Sequence, residues 1–110
     1  MFDFLKKLVG PAEEADLSEV LKRDPMIVDV RSPFEFEQGH IQRSINIPVN
    51  ELKRKLADIK RSGSPVIVVC KSGARSKMAA EFLQEAGVEV YNGGPWSTVA
   101  QRDGLAAGFH

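Results

Sequence analysis

The sequence predicts an α/β fold with a mostly parallel central sheet flanked by helices. Two apolar runs, Met26-Ile27-Val28-Asp29-Val30 and Val66-Ile67-Val68-Val69, carry almost no alternation, as in strands buried on both faces. Between and after them lie segments with helical periodicity, joined by short Gly- and Pro-containing turns. At 110 residues, one domain spanning 1–110 is expected.

Met1, Phe4, Leu5, Leu8 and Val9 share one face of a short helix over 1–10. So short an apolar segment buries little area, so it reads as a turn packed back on the domain or a frayed extension. Asp16 reads as an N-cap with Glu19 three residues on, opening a helix through Leu17, Val20 and Leu21 that stops at Asp24-Pro25. The first strand, 26–30, follows. Ser32-Pro33 with Glu35 opens a second short helix, with Phe34 and Phe36 as packing residues and Gly39 as its stop. Ile45-Asn46-Ile47 is a short strand ended by Pro48. Asn50 then caps an amphipathic helix with Leu52, Leu56 and Ile59 on one side. Its other side, Lys53, Arg54, Lys55, Lys60 and Arg61, is diluted by Glu51 and Asp58 and reads as solvated. Ser62-Gly63-Ser64-Pro65 turns into the central strand. Met78, Ala79, Phe82, Leu83 and Ala86 line the next helix, closed by Gly87. Val88-Glu89-Val90-Tyr91 is a further strand, Asn92-Gly93-Gly94-Pro95 a loop, and Trp96 opens a last helix.

The central strand runs straight into Cys70-Lys71-Ser72-Gly73-Ala74-Arg75-Ser76. The only cysteine therefore stands at a strand end and a helix N-terminus, where unpaired N–H groups favour an anion. A free cysteine after four β-branched residues is ordinarily a small core residue. The polar, glycine-containing loop and the cations Lys71 and Arg75 point instead to a reactive thiolate with a lowered pKa. Fifteen basic and fifteen acidic residues cancel, which argues against a nucleic-acid surface. One cysteine and two histidines provide neither an internal disulfide nor a Cys/His zinc site, and no cofactor is implied. No signal-peptide pattern or membrane-length apolar run is seen, so the expected location is the cytoplasm, without stable membrane insertion.

Four stretches taken together resemble the single-domain rhodaneses. They are Ile27-Val28-Asp29-Val30-Arg31; Phe36-Glu37-Gln38-Gly39-His40-Ile41 leading to Ile45-Asn46-Ile47-Pro48; the Cys70–Ser76 loop; and Val90-Tyr91-Asn92-Gly93-Gly94-Pro95-Trp96. Arg43-Ser44 departs from the small Gly-Ala pair common in the family, and Trp96 follows the double glycine early. The resemblance implies a rhodanese-like fold with about five strands, and a sulfurtransferase acting through a persulfide on Cys70. The sulfane sulfur would come from thiosulfate or a persulfide donor. The acceptor would be a thiol or cyanide, or a sulfur-accepting protein. Lys71, Ser72, Gly73, Ala74 and Arg75 would bind the donor, with Asp29 and Arg31 supporting the loop from behind. His40 reads as a structural turn residue. Two alternatives stand beside this reading. One is a non-catalytic or relay module of the same fold. The other is a cysteine phosphatase or arsenate reductase on that fold; such phosphatases carry one more residue between Cys and Arg than the four present here.

Overall fold

The computed structural model describes residues 14–101 and 107–108. The expected N-terminal helix over 1–10 lies outside them. The described elements, in chain order, are α1 (Glu14–Leu21), β1 (Met26–Asp29), α2 (Pro33–Gln38), β2 (His40–Ile41), β3 (Ile45–Asn46), a 3₁₀ turn (Val49–Glu51), α3 (Leu52–Ser62), β4 (Val66–Cys70), α4 (Ala74–Glu85), β5 (Val90–Pro95), α5 (Trp96–Ala100) and β6 (Ala107–Gly108).

The predicted α/β class is found. Four strands pair in parallel in the order β3-β1-β4-β5. The implied count of about five is not reached in this sheet. Among the described residues, His40–Ile41 pairs instead antiparallel with Ala107–Gly108 in a separate two-stranded ladder.

The all-apolar β4 is buried along its whole length, and its side chains alternate between two cores. Val66, Val68 and Cys70 pack with Leu52, Ile59, Ala79 and Leu83 of α3 and α4. Ile67 and Val69 pack with Leu17 and Val20 of α1, Ile41, and Val99 and Ala100 of α5. The functional loop thus grows out of a strand held on both faces.

β5 runs further than its sequence suggests. Asn92-Gly93-Gly94-Pro95 is turn chemistry, yet it continues the strand to Cys70↔Pro95. A bulge makes this possible: Val68 faces Asn92 and Val69 faces Gly94, leaving Gly93 as the extra residue. A Cβ on Gly93 would lie 3.0 Å from Ile67 Cγ2 and Val69 Cγ1, and 3.1 Å from the Val68 carbonyl. Those neighbours are buried and close-packed, so Gly93→Ala is expected to cost about 1–3 kcal/mol in chemical denaturation. Stability equal to wild type would show that β4 and β5 separate easily here.

Other local expectations are corrected. α1 begins at Glu14, so Asp16 is inside it rather than at its cap. Asn50 lies inside the 3₁₀ turn that leads into α3, whose first turn has no side-chain cap. Phe34 and Met78 are exposed at 72% and 57%, against the expected packing roles. Arg43 takes a left-handed conformation, φ 71°, which explains why glycine suits that turn better.

Candidate active site

The site forms at the carboxyl ends of the parallel strands, the usual ligand edge of such sheets. Asp29 ends β1, Asn46 ends β3 and Cys70 ends β4.

Cys70 is fully buried, and its Sγ accepts a hydrogen bond from the Gly73 N–H at 2.8 Å. Gly73 makes this geometry possible. It sits at φ 108°, open to glycine and strained for other residues, and it is the N-cap of α4. Ser76, also fully buried, completes the sulfur's shell. As a thiol, Cys70 donates to Ser76 Oγ over 3.4 Å, and Ser76 Oγ donates to the Gly73 carbonyl at 3.1 Å. Once the thiol ionises, the same hydroxyl can turn its hydrogen to sulfur.

Two effects oppose one another on the Cys70 pKa. Burial, the largest single effect, pushes it up. The Ser76 hydroxyl and the N–H groups of Ser76, Gly73 and Ser72 together outweigh burial, and the net shift is downward. The alkylation rate with iodoacetamide should therefore rise with pH to a midpoint below the free-thiol value of about 8.5. A midpoint at or above that value would contradict the shift. Lys71, expected to share this work, is exposed.

Arg75, in the first turn of α4, is engaged differently from expectation. Its Nη1 and Nη2 donate to Glu35 Oε1 and Oε2 at 2.7 and 3.0 Å. The Glu35 carboxylate also accepts from Ser32 N and Ser32 Oγ, each at 3.1 Å, closing the capping box of α2. The hydrogen bonds from Arg75 and the Ser32 backbone hold the Glu35 pKa down to about 2. Neither Glu35 nor Ser76 was picked out from the sequence as a site residue. The capping-box spacing flagged Glu35 only for its local duty, and Ser76 lay in the motif without an assigned role.

Asp29 and Arg31 form a buried ion pair at the end of β1. Arg31 Nε and Nη2 donate to Asp29 Oδ1 and Oδ2 at 2.8 and 2.7 Å, with side-chain exposures of 5% and 0%. Arg31 Nη2 also donates to the Gly39 carbonyl at 2.7 Å, and its guanidinium lies 4.9 Å from the Trp96 ring centre. Asn46 Nδ2 donates to the carbonyls of Asp29 and Arg31. Asn46 is a clamp that sequence reading missed, since a lone asparagine in a strand carries no signal of its partner. His40 Nδ1 meets the Phe36 carbonyl at 2.7 Å, and the ring stacks on Phe36. Among the described residues, no cluster of three or more His, Cys, Asp or Glu is placed to hold a metal. No described helix is long and apolar enough to cross a membrane.

The sequence pattern of the rhodanese-like domain matches residues 13–95. Over 71 residues the chain is 42% identical to the uncharacterized protein YqhL of Bacillus subtilis, matching 64% of this chain and 56% of that one. The chain thus spans little more than half of that relative's length. The thiosulfate sulfurtransferase PspE of Escherichia coli is 37% identical over 75 residues, 66% of this chain and 72% of that one. Among solved structures, a rhodanese with anions from Escherichia coli superposes with a TM-score of 0.67 at 31% identity, covering 78% of this chain and 99% of that one. With the cysteine loop at the strand edge and both sequence and fold shared along this length, the chain belongs to the rhodanese-like domain family.

Proposed function

We propose that the domain is a sulfurtransferase that carries sulfane sulfur as a persulfide on Cys70. The observation that carries this reading is a buried Sγ at a helix N-terminus that accepts the Gly73 N–H at 2.8 Å and is paired with the Ser76 hydroxyl. A relative named thiosulfate sulfurtransferase supports it.

In the first step the Cys70 thiolate attacks the outer sulfur of thiosulfate. The S–S bond of the donor breaks, its electron pair leaves with sulfite, and Cys70 becomes a perthiolate. In the second step an acceptor nucleophile, cyanide or a thiolate, attacks the outer sulfur and returns Cys70 to the thiolate. Each intermediate is an anion at the same place, so one fixed set of donors serves both. No histidine base is required where the amides and Ser76 already favour the thiolate. Lys71 provides a point charge at the rim for the donor, and the N–H groups of Ser72, Gly73 and Ala74 line its approach. Asp29 and Arg31 keep the strand ends in register beneath the loop. A persulfide relay partner, including a sulfur-accepting protein, fits the same site. A lone thiol of this kind suits a reducing compartment such as the cytoplasm.

The rival reading, phosphate-ester hydrolysis, needs a ring of donors wide enough for three peripheral oxygens. Here only four residues separate Cys70 from Arg75, and the Gly73 N–H closes on the sulfur itself. The intact mass after thiosulfate treatment should show one added sulfur atom, and p-nitrophenyl phosphate should be turned over negligibly. Robust phosphatase turnover with no added sulfur would overturn the proposal.

A further inference from the structure

We infer that Glu35 is a positioning residue that governs how strongly the site binds anionic donors, by holding the Arg75 fork away from them. The inference rests on the sulfurtransferase reading and refines its substrate class. Oxyanions that need a bidentate arginine are disfavoured, and donors held by the loop N–H groups alone are accepted.

A planar guanidinium grips an oxyanion through a pair of parallel N–H donors. Both terminal nitrogens of Arg75 are spent on Glu35, one on each carboxylate oxygen. The carboxylate is itself pinned from the other side by Ser32 N and Oγ, so it cannot swing aside without uncapping α2. Nor can it be neutralised near neutral pH, with its pKa at about 2. An incoming dianion must therefore share Arg75 with a fixed negative charge. The pair is only half-buried, so it remains within reach of a ligand at the rim. Arg75 also lies close enough to Cys70 for the thiolate's charge to act on it.

The test uses inorganic sulfate as the probe and needs no turnover. The rate of Cys70 alkylation by iodoacetamide, followed against sulfate concentration at constant ionic strength, gives an apparent sulfate affinity. Glu35→Gln keeps one acceptor oxygen but removes the negative charge and the second acceptor that hold the Arg75 fork, and should tighten sulfate protection about tenfold. Ser32→Ala weakens the cap while leaving the ion pair, and should stay within about twofold of wild type. In the Glu35→Gln/Arg75→Gln double variant the gain should vanish, since it acts through Arg75. With thiosulfate as donor, Glu35→Gln should lower KM more than it changes kcat. Circular dichroism checks that α2 and the domain persist in each variant. Unchanged sulfate protection in a folded Glu35→Gln, a gain that survives loss of Arg75, or an equal gain in Ser32→Ala would overturn the inference. If sulfate protection shifts as stated while no sulfur is added from thiosulfate, the sulfurtransferase reading fails and the role of Glu35 stands.

Discussion

Cys70→Ser is expected to lower sulfur transfer from thiosulfate to cyanide by at least about a thousandfold, since no covalent intermediate can form without the thiolate. Cys70 is the only cysteine, so no other side chain can hold the sulfur. The variant should nevertheless fold. A serine hydroxyl can accept the Gly73 N–H and exchange a hydrogen bond with Ser76, the two partners the sulfur now has. The loss of stability should be about 1 kcal/mol, from replacing sulfur by a smaller, more polar atom inside the α3/α4 core. Steady-state thiocyanate formation and intact mass after thiosulfate treatment measure the two consequences together. Residual turnover near the wild-type rate would remove Cys70 from the reaction.

Asp29→Ala should have the largest effect on stability. It leaves the Arg31 guanidinium, 5% exposed, without its counter-charge. Breaking a buried pair from one side typically costs about 3–5 kcal/mol, because the remaining charge has lost both water and partner. For a domain of this size that corresponds to a fall in Tm of about 15 °C or more. Asp29→Asn should cost less, since an amide oxygen still accepts from Arg31. Chemical denaturation of the two variants provides the comparison. A cost below about 1 kcal/mol for Asp29→Ala would mean that the Gly39 carbonyl, Trp96 and Asn46 contacts hold Arg31 by themselves.

The parts of the site that sequence reading recovered are those whose cause is local. The apolar run into Cys70 and the small, polar loop after it place a thiol at a helix start whatever the rest of the chain does. The Asp29–Arg31 pair spans two residues of one strand end, so its partners are neighbours in sequence. Glu35 and Arg75 are forty residues apart, and nothing in either neighbourhood announces the other. Glu35 also had a sufficient local explanation in the capping box, which concealed its second partner. Asn46 illustrates the same limit: its amide bridges the carbonyls of Asp29, at the end of the adjacent strand, and Arg31 just beyond it, a contact set by strand order. The extension of β5 was hidden for the opposite reason. Its Asn-Gly-Gly-Pro composition favours a turn locally, and only pairing with β4, around a bulge at Gly93, overrides that preference. Phe34 and Met78 fell at positions where the pattern suggested an inward apolar residue, yet both are exposed.

The alternation of β4 side chains has a mechanical meaning. The strand acts as a partition between two separately filled chambers. The nucleophile is seated in the α3/α4 chamber, and the Trp96 that braces Arg31 belongs to the α1/α5 chamber. A disturbance in one chamber reaches the other through the strands of the sheet between them, β4 among them. Loosening around Val99 would therefore slacken the brace under the strand ends first, while the sulfur keeps its Gly73 and Ser76 partners. Enlarging a void near Leu83 would do the reverse. Wear on the scaffold and wear on the chemistry would then be separable, with each side of the sheet free to drift in sequence at its own rate.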